Sequence, residues 1–359
     1  MLRPGVADIS RPRLTAVTAR VTDWGLAGLV AALLVTGALA LFAGSPGAAW
    51  IIAVHDACGI AIALLVIIKL RRVRPRLVRG ATRRAAGIGA ALAVVCCVIA
   101  GLLWSQGVAV APGGYSLLSW HDGLGAILGI AVAIHMVARA KPLRRRDVAG
   151  RRQFLAASGL AACALLGWRV QRPVEALLAL KGVRRRFTGS YEAGSFAGNA
   201  FPTTSWVADN PAVIDPTAYR LRVEGLVAHP LAIPLGDFAA VEELVATLDC
   251  TGGFYTTQRW RGVRVASLLD LAGADPAARH VSIGSVTGYR WSFGIEDARG
   301  LLLATHVAGA PLSHDHGAPA RLVVPGARGF QWVKWVTRIE VRRDPDLTAP
   351  LSTVWSSFV

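Results

Sequence analysis

The stretch Thr247-Leu-Asp-Cys-Thr-Gly-Gly-Phe254 places the only cysteine of the chain's polar half after a strand-like run and before a glycine pair. Two interpretations of Cys250 fit these surroundings. Its thiolate could bind a metal cofactor, with Gly252 and Gly253 letting the backbone approach a bulky group. Alternatively, Cys250 is a buried, unreactive thiol that packs as a small apolar residue. The rest of the sequence is needed to choose between these two interpretations.

Composition separates the chain into two halves of different character. Of its 359 residues, 53% are hydrophobic and 17% are charged, which is too apolar for an ordinary soluble enzyme and indicates membrane spans. Residues 1–200 hold 25 Lys and Arg against 7 Asp and Glu, whereas residues 201–359 hold 14 against 15. The net charge of +17 therefore lies in the apolar half, where loop orientation explains it better than phosphate binding. A nucleic-acid partner is not expected.

Five apolar runs predict an all-α bundle of membrane-spanning helices. They lie at about 24–44, 48–68, 86–104, 117–138 and 154–168, and only the last is shorter than the roughly 20 residues that a bilayer needs. Arginines and lysines crowd the N-terminus and the loops at 69–84 and 139–152, whereas the connections at 45–47 and 105–116 carry no charge. By the positive-inside rule, the N-terminus is cytoplasmic and everything after the fifth span lies outside. The sequence thus predicts a multi-pass protein of the cell membrane.

An internal repeat marks the second and fourth spans. His55-Asp-Ala-Cys-Gly59 matches His121-Asp-Gly-Leu-Gly125 at an offset of 66 residues. Two histidines at matched depth on neighbouring helices can supply both axial ligands of a b-type haem, although an interfacial histidine that caps a helix would give the same pattern. His135 follows His121 by close to four helical turns and is a further candidate for haem iron. Its repeat counterpart is Lys69, which argues against a second haem.

The fifth run begins Gly150-Arg-Arg-Gln-Phe-Leu155, which resembles a twin-arginine export motif. That route carries folded domains, as a domain that takes up its cofactor in the cytoplasm requires. Two arginines that only follow the positive-inside rule remain the alternative. The predicted organisation is a four-helix, cytochrome b-like membrane domain at 1–150, a fifth helix and linker at 151–200, an outer domain at 201–345 and a short tail at 346–359.

The outer domain has the pattern of a mixed α+β, mostly β, fold. Short strand-like runs separated by Pro, Gly and Asp occur at 219–223, 246–250, 280–283 and 321–324. Two short helices are predicted near 235–244 and 265–272.

Several motifs in this domain agree with one family. His316-Gly-Ala-Pro-Ala-Arg-Leu-Val-Val-Pro-Gly326, then Gly329 and Val333-Lys-Trp-Val336, together with Leu248-Asp-Cys250 upstream, resemble the molybdopterin-binding domain of the sulfite oxidase family. The resemblance covers roughly residues 200–345. It implies that Cys250 binds molybdenum beside the dithiolene sulfurs of the pterin. It also implies that the terminal phosphate of the pterin is held by His316, Arg321 and Lys334, which are donor or cationic side chains suited to a dianion. Asn199 matches a position for a further pterin contact.

The chain departs from sulfite oxidases around the substrate. Thr-Gly-Gly-Phe-Tyr follows Cys250 where those enzymes carry arginines for the sulfite anion. Tyr255, Arg259 and Tyr289 are therefore candidates for the substrate pocket, with plain structural roles as the alternative. Bacterial protein-methionine-sulfoxide reductases, sulfite oxidase relatives that are paired with a haem membrane subunit, suggest a different substrate.

The function expected from these features is two-electron oxygen-atom transfer outside the cytoplasmic membrane. The substrate would be a small oxyanion or an S- or N-oxide, and the cofactor molybdenum-molybdopterin. Electrons would be exchanged with a membrane haem b, a quinone or another redox partner within the lipid. Reduction of methionine sulfoxide specifically, and a non-catalytic membrane-anchored domain that has lost its metal, remain the alternatives.

Overall fold

The computed structural model describes residues 18–77, 85–205, 209–238 and 241–356. Its chain divides into two compact units. The first comprises Met1–Leu39 and Trp50–Val183, and the second comprises Ala40–Ala49 and Arg184–Val359. Helices build the first unit, and two β-sheets dominate the second.

Helices are the expected solution for the apolar half, because a helix satisfies its backbone hydrogen bonds within one segment. The unit's small buried cluster is formed by Val30, Ile62, Val66 and Leu128. One helix start is capped locally, since the Ser116 hydroxyl accepts a bond from the backbone N–H of Ser119 at 3.1 Å. The helices are α1 (Ala19–Ala40), α2 (Ala49–Leu77), α3 (Ala85–Ser105), α4 (Leu117–Arg139), α5 (Arg145–Val148) and α6 (Arg151–Leu177).

Four described helices are long and apolar enough to cross a membrane: Ala19–Ala40, Pro46–Val73, Leu117–Ala138 and Arg151–Leu177. The last contains the run predicted to be short, and it is longer because the helix continues through Arg169 and Arg172 to Leu177. The predicted span at 86–104 coincides with α3, whose described apolar part, Ala91–Ser105, is shorter than a bilayer requires. Five spans therefore remain a prediction.

Two sheets share one hydrophobic core in the second unit. Leu221, Ile283 and Ile339 of one sheet and Trp260 and Leu302 of the other belong to a single buried cluster. The strands are β1 (Tyr191–Glu192), β2 (Arg220–Gly225), β3 (Leu231–Pro234), β4 (Val241–Asp249), β5 (Phe254–Arg264), β6 (His280–Ser285), β7 (Arg290–Gly294), β8 (Leu302–Val307), β9 (Ala310–Pro311), β10 (Arg321–Val323) and β11 (Val336–Arg342). The first sheet has the order β1-β5-β8-β10, with β4 on β5 and β9 on β8, and the second has the order β3-β2-β11-β6-β7.

The four strand-like runs predicted in this domain all lie in or overlap strands. Of the two predicted helices, one is confirmed as α7 (Val265–Ala272), which ends at Gly273 with a positive φ of 65°. The other, near 235–244, is wrong. A short turn at Leu235–Asp237 is followed by β4, which pairs antiparallel with β5 along its whole length. Pairing with a neighbouring strand decides such a segment more than its own propensity does. Two further short helices are α8 (Ile295–Arg299) and α9 (Ser352–Trp355).

The segment interpreted as a linker is structured at both ends. Its first residues continue α6, and its later ones form β1, which runs parallel to the start of β5. The Ser195 hydroxyl accepts a bond from the Thr257 backbone N–H at 3.0 Å, and the Gln258 amide donates to the Gly194 carbonyl at 2.6 Å. Tyr191 and Glu192 are thus part of the first sheet, and Gly194 and Ser195 bond to its strand β5, although the Gly- and Ser-rich composition of this segment is typical of a loop.

Candidate active site

Cys250 lies in the tight turn that joins β4 to β5. The Cys250 N–H donates to the Phe254 carbonyl at 2.8 Å, and the Gly253 N–H donates to the Cys250 carbonyl at 3.0 Å. Gly253 has a φ of +95°, which favours glycine. The Gly252 N–H lies 3.3 Å from the Cys250 sulfur and donates to it. A Cβ on Gly252 would come within 3.1 Å of Thr204 Oγ1, so this turn depends on both glycines to fix the sulfur.

A cavity opens at the Cys250 sulfur. On one side it is lined by His316, Arg321 and Lys334, the three residues expected to hold the pterin phosphate. Five aromatic side chains form another part of its lining: Phe201, Phe254, Tyr289, Phe330 and Trp332. The structure therefore brings the predicted thiolate and the predicted phosphate ligands into one cavity.

Arg321 is the best-defined cation of this cavity. Only 4% of the residue is exposed, and its guanidinium carbon lies 5.8 Å and 5.9 Å from the ring centres of Trp260 and Trp332. Nη1 donates to the His316 carbonyl at 3.0 Å, but Nε is buried without a hydrogen-bond partner among the described residues. Burial lowers the pKa of Arg321 to about 10, although the nearby Cys250 opposes that shift. A buried guanidinium with an unmet donor is costly, so this environment suits a bound anion.

Lys334 converges on the same place. Its Nζ donates to the Ser205 hydroxyl at 3.1 Å. Burial, with Arg321 adding to it, lowers the pKa of Lys334 to about 8. Gly317 makes the convergence possible, because a Cβ there would lie 3.1 Å from the Cβ of Lys334 and 3.2 Å from that of Arg321.

His316 uses both ring nitrogens within the protein. Nε2 donates to the Phe201 carbonyl at 2.9 Å, and Nδ1 lies 2.7 Å from the Ser313 hydroxyl. Since the carbonyl can only accept, Nδ1 is the acceptor in a neutral ring. Burial lowers the pKa of His316, in agreement with this assignment. In this structure His316 fixes the wall of the cavity and anchors Arg321, and it offers no unused ring donor to a phosphate.

The other predicted site residues lie elsewhere. Asn199 donates to the Pro311 carbonyl at 2.9 Å and accepts from the Ser313 N–H at 3.1 Å, so it fixes the loop beside His316 and does not line the cavity. Tyr255 and Arg259 alternate along β5 with the buried side chains of Phe254 and Trp260, and they do not line the cavity either. Tyr289 does line it, and its hydroxyl donates to the Phe330 carbonyl.

Sequence reasoning missed Arg328, which lies beside the cysteine, although it included the neighbouring Gly329 in the motif. Arg328 donates to the Cys250 carbonyl at 3.3 Å, and its side chain forms an ion pair with Asp249 at 3.4 Å. Gly329 packs against the same turn, since a Cβ there would lie 2.9 Å from the Cys250 Cα. The charged residue directly before the cysteine was the only available signal, because Arg328 is distant in sequence.

The two repeat histidines meet within the helical unit. The rings of His55 on α2 and His121 on α4 have centroids 6.0 Å apart and planes inclined by 74°. Each ring is oriented through Nδ1, at 2.9 Å from the Thr36 hydroxyl for His55 and at 2.8 Å from the Cys97 carbonyl for His121. Such bonds leave Nε2 as the ligating nitrogen in metal-binding histidines. His135 lies further along α4 and is exposed, and Lys69 forms an ion pair with Asp23 at 3.0 Å.

The outer domain matches a known family. Residues 207–349 match the family model of the oxidoreductase molybdopterin binding domain. The chain is 32% identical over 163 residues to mitochondrial sulfite oxidase of Macaca fascicularis, a match that covers 36% of this chain and 30% of that protein. It is 28% identical over 177 residues to the protein-methionine-sulfoxide reductase catalytic subunit MsrP of Gluconobacter oxydans, covering 43% and 54%.

A third relative is the uncharacterized oxidoreductase YuiH of Bacillus subtilis, 29% identical over 164 residues, with 43% of this chain and 83% of that protein covered. The chain spans about a third of the sulfite oxidase and about half of MsrP. The resemblance of the outer domain to the sulfite oxidase family is confirmed by these matches.

Proposed function

We propose that this chain, in which residues 207–349 form an oxidoreductase molybdopterin-binding domain, is a membrane-anchored enzyme that transfers an oxygen atom in the cavity at Cys250. The observation that carries the proposal is the meeting of one thiol with the buried Arg321 and the half-buried Lys334 around a single cavity. The Nε of Arg321, which has no hydrogen-bond partner among the described residues, makes that cavity suited to an anion.

The residues fit a molybdenum held by a pterin better than a metal held by protein ligands alone. Among the described residues, no group of three or more His, Cys, Asp or Glu side chains could hold a metal ion. Cys250 would supply one thiolate ligand, and Arg321 and Lys334 would hold the phosphate of the pterin. When bound, such a cofactor supplies the two-electron chemistry of oxygen-atom transfer, and the protein supplies placement and electrostatics.

The lining of the cavity favours a neutral S-oxide over an oxyanion. Among the described lining residues, Arg321 and Lys334 are the only Arg or Lys side chains, and both are assigned to the phosphate. Arg328, which donates to the Cys250 carbonyl, is ion-paired with Asp249 and does not line the cavity. Aromatic side chains form one part of the remaining lining, which suits the apolar groups of a thioether, and hydroxyl and carboxylate side chains form most of the rest.

We therefore favour reduction of a sulfoxide as the direction of the reaction. The sulfoxide takes up two electrons and two protons, its sulfur–oxygen bond breaks, and the products are a thioether and water. The name of the Gluconobacter relative, a methionine-sulfoxide reductase subunit, supports this choice.

The two electrons would come through the helical unit. His55 and His121 would ligate a b-type haem through Nε2, and a membrane quinol would reduce it. The Nδ1 bonds of both rings and the 6.0 Å between ring centres support this assignment. His55→Ala and His121→Ala should abolish the b-type absorbance bands of purified membranes, whereas His135→Ala should preserve them. Bands that persist in both of the first two variants would remove the haem from the proposal.

The sidedness of the membrane remains part of the proposal. We place the N-terminus in the cytoplasm and the molybdopterin domain outside. Arg151 and Arg152 would be recognised by the twin-arginine export machinery. Alkaline phosphatase fused after Val359 should then be active, and a fusion at Lys141 should be inactive. Replacing Arg151 and Arg152 together by lysine keeps the positive charge. It should nevertheless abolish export of the folded domain, whereas unchanged export would leave only the positive-inside interpretation.

Activity of the purified full-length chain tests the proposed reaction. With reduced benzyl viologen as electron donor, the wild-type protein should reduce methionine sulfoxide faster than it oxidises sulfite with ferricyanide. Cys250→Ser should lose the activity. Activity on sulfite alone would reverse the substrate assignment, and a protein without molybdenum or activity would leave only the non-catalytic alternative.

A further inference from the structure

A buried carboxylate lies directly beside the cysteine and has no role in the chemistry described so far. Asp249 is 1% exposed, and both of its oxygens are surrounded by donors. The Ser190 hydroxyl donates to Oδ1 at 2.7 Å, and the Thr188 hydroxyl donates to Oδ2 at 2.8 Å. Two guanidinium groups form ion pairs with it, Arg186 at 3.1 Å and Arg328 at 3.4 Å. A carboxylate with this many partners is held in one orientation.

Three of these four partners come from one short segment. We call residues 184–192 the strap. Its strand β1 runs parallel to the first residues of β5, with Tyr191 opposite Phe254 and Glu192 opposite Tyr255. Arg186 is also fixed at its other end, where Nη2 donates to the Gly44 carbonyl at 2.7 Å. The strap lies outside residues 207–349, so the family match does not include three of the four groups that surround Asp249.

The fourth partner connects the carboxylate to the cysteine from the opposite side. Arg328 forms an ion pair with Asp249 through Nη1 and donates to the Cys250 carbonyl through Nη2. Asp249 and Arg328 also form an isolated parallel bridge. The position of Cys250 is thereby fixed in two ways. Cys250 follows Asp249 directly in the chain, and its carbonyl accepts a hydrogen bond from Arg328, whose guanidinium is oriented by the Asp249 carboxylate.

Electrostatics give this arrangement a second consequence. Two buried or half-buried guanidinium groups next to the cysteine share one buried negative charge. Their hydrogen bonds offset the cost of burying this carboxylate, which would be high for a carboxylate without partners. Removal of that charge would make the electrostatic potential near the sulfur more positive, and a more positive potential stabilises added electrons.

We propose that Asp249 is a positioning residue for Cys250, through which the strap and Arg328 set the orientation and the electrostatic environment of the metal-ligating sulfur. This inference rests on the proposed function, in which Cys250 binds molybdenum. Asp249 touches neither substrate nor cofactor in this account and acts only through Cys250.

The test is the full-length Asp249→Asn variant, measured after cofactor loading. The substituted amide keeps the shape of the carboxylate, but it removes the charge and points a donor group toward other donors. Asp270→Asn is the matched control, because Asp270 is also ion-paired, to Arg299 at 2.7 Å, but is largely exposed and belongs to α7. Four quantities are measured: pterin content, molybdenum content, the electron paramagnetic resonance spectrum of Mo(V) and its midpoint potential.

Pterin content should not change in Asp249→Asn, since Arg321 and Lys334 are untouched. The Mo(V) spectrum should change and the midpoint potential should move to a higher value, because a negative charge beside the sulfur has been lost. The kcat per molybdenum should fall about 100-fold, as expected for a ligand displaced by a fraction of an ångström to one ångström. Asp270→Asn should match the wild-type protein in every measurement.

A role in stability alone would give a different result. Fewer loaded molecules, each with the wild-type spectrum, potential and kcat, would overturn the proposal. If Asp249→Asn does not fold, Thr188→Val and Ser190→Ala each remove a single donor and should give smaller spectral changes. Wild-type spectra in both hydroxyl variants would equally count against it. The molybdenum content of the wild-type protein is measured before any variant is compared. A wild-type chain without molybdenum would contradict the proposed function itself.

Discussion

The surroundings of the Arg321 side chain indicate a bound cofactor. Its aromatic neighbours and its bond to the His316 carbonyl fix the guanidinium, and the buried Nε still lacks a partner among the described residues. The motif indicated a cation at this position, but the unmet donor became visible only in the fold. Arg321 is buried because Gly317 and the strand β10 direct it inward, which no local pattern encodes.

Arg321→Lys should therefore weaken retention of the pterin. The charge stays, but the planar donor group is lost, and a charge-assisted hydrogen bond contributes about 1.5–3 kcal/mol. Retention should fall roughly 10- to 150-fold, measured as the fluorescent pterin released from protein dialysed for increasing times. Arg338→Lys is the control, because Arg338 on β11 is half-exposed and forms ion pairs with Glu224 and Glu340. Equal retention in Arg321→Lys and wild type would exclude Arg321 as a phosphate ligand.

Lys334 predicts a pH dependence of stability in the cofactor-free protein. Its pKa is lowered from 10.5 to about 8 in the folded chain. Between these values the unfolded chain keeps a proton that the folded chain has released, so the free energy of unfolding should rise as the pH rises from about 8 to 10.5. Chemical denaturation at a series of pH values measures this rise. The rise should be much smaller in Lys334→Met, where Arg321, with a pKa lowered to about 10, still contributes at the upper end of this range, and it should be kept in the exposed control Lys181→Met.

At the scale of elements, the turn at Arg328–Gln331 depends on its closeness to the turn that bears the cysteine. A Cβ on Gly329 would lie 2.9 Å from the Cys250 Cα and 3.3 Å from a methyl of Leu248. Gly329→Ala should cost about 1–3 kcal/mol of stability by overpacking and should lower the molybdenum content. Thermal melting and metal analysis measure the two effects. Gly236→Ala is the control, since a Cβ there has no atom within 4 Å. A fully loaded and stable Gly329→Ala protein would contradict the close packing of the two turns.

Gly101 on α3 packs closely against the His121 ring, as Gly329 packs against the turn that bears Cys250. A Cβ there would lie 2.9 Å from both Cε1 and Nδ1 of His121. Gly101→Ala should turn the His121 ring and reduce the b-type absorbance of purified membranes severalfold, whereas Gly123→Ala, with open space around its Cβ, should not. The spectra of the two variants, recorded at equal protein concentration, decide the point. Matching spectra would show that His121 is not a haem ligand.

Elements were predictable where local pattern and tertiary environment agree. Helix α7 matches its apolar periodicity and stops at a glycine, and β6 and β10 match apolar runs between turn residues. The segment at 235–244 was not predictable, because β4 is a strand through its pairing with β5. The strap was missed for the same reason, since its order depends on Asp249, a residue that is distant in sequence.

For the whole molecule, the sequence indicated the two-part organisation because composition changes abruptly near residue 200. The thiol and the two cations of the cavity were predictable from a resemblance, which a family match over residues 207–349 now supports. The aromatic part of the cavity lining and the ion pair of Arg328 with Asp249 were not, because they arise from side chains on several strands and turns. These unpredicted features are the ones that bear on the substrate.

The central claim is that the Cys250 sulfur is bonded to a molybdenum carried by a pterin. X-ray absorption at the molybdenum edge, on full-length protein purified from membranes, measures the sulfur ligands directly. We expect molybdenum in the wild-type protein and one fewer Mo–S bond in Cys250→Ser, with pterin retained in both. Identical sulfur coordination in the two proteins, or a correctly folded wild-type chain without molybdenum, would contradict it.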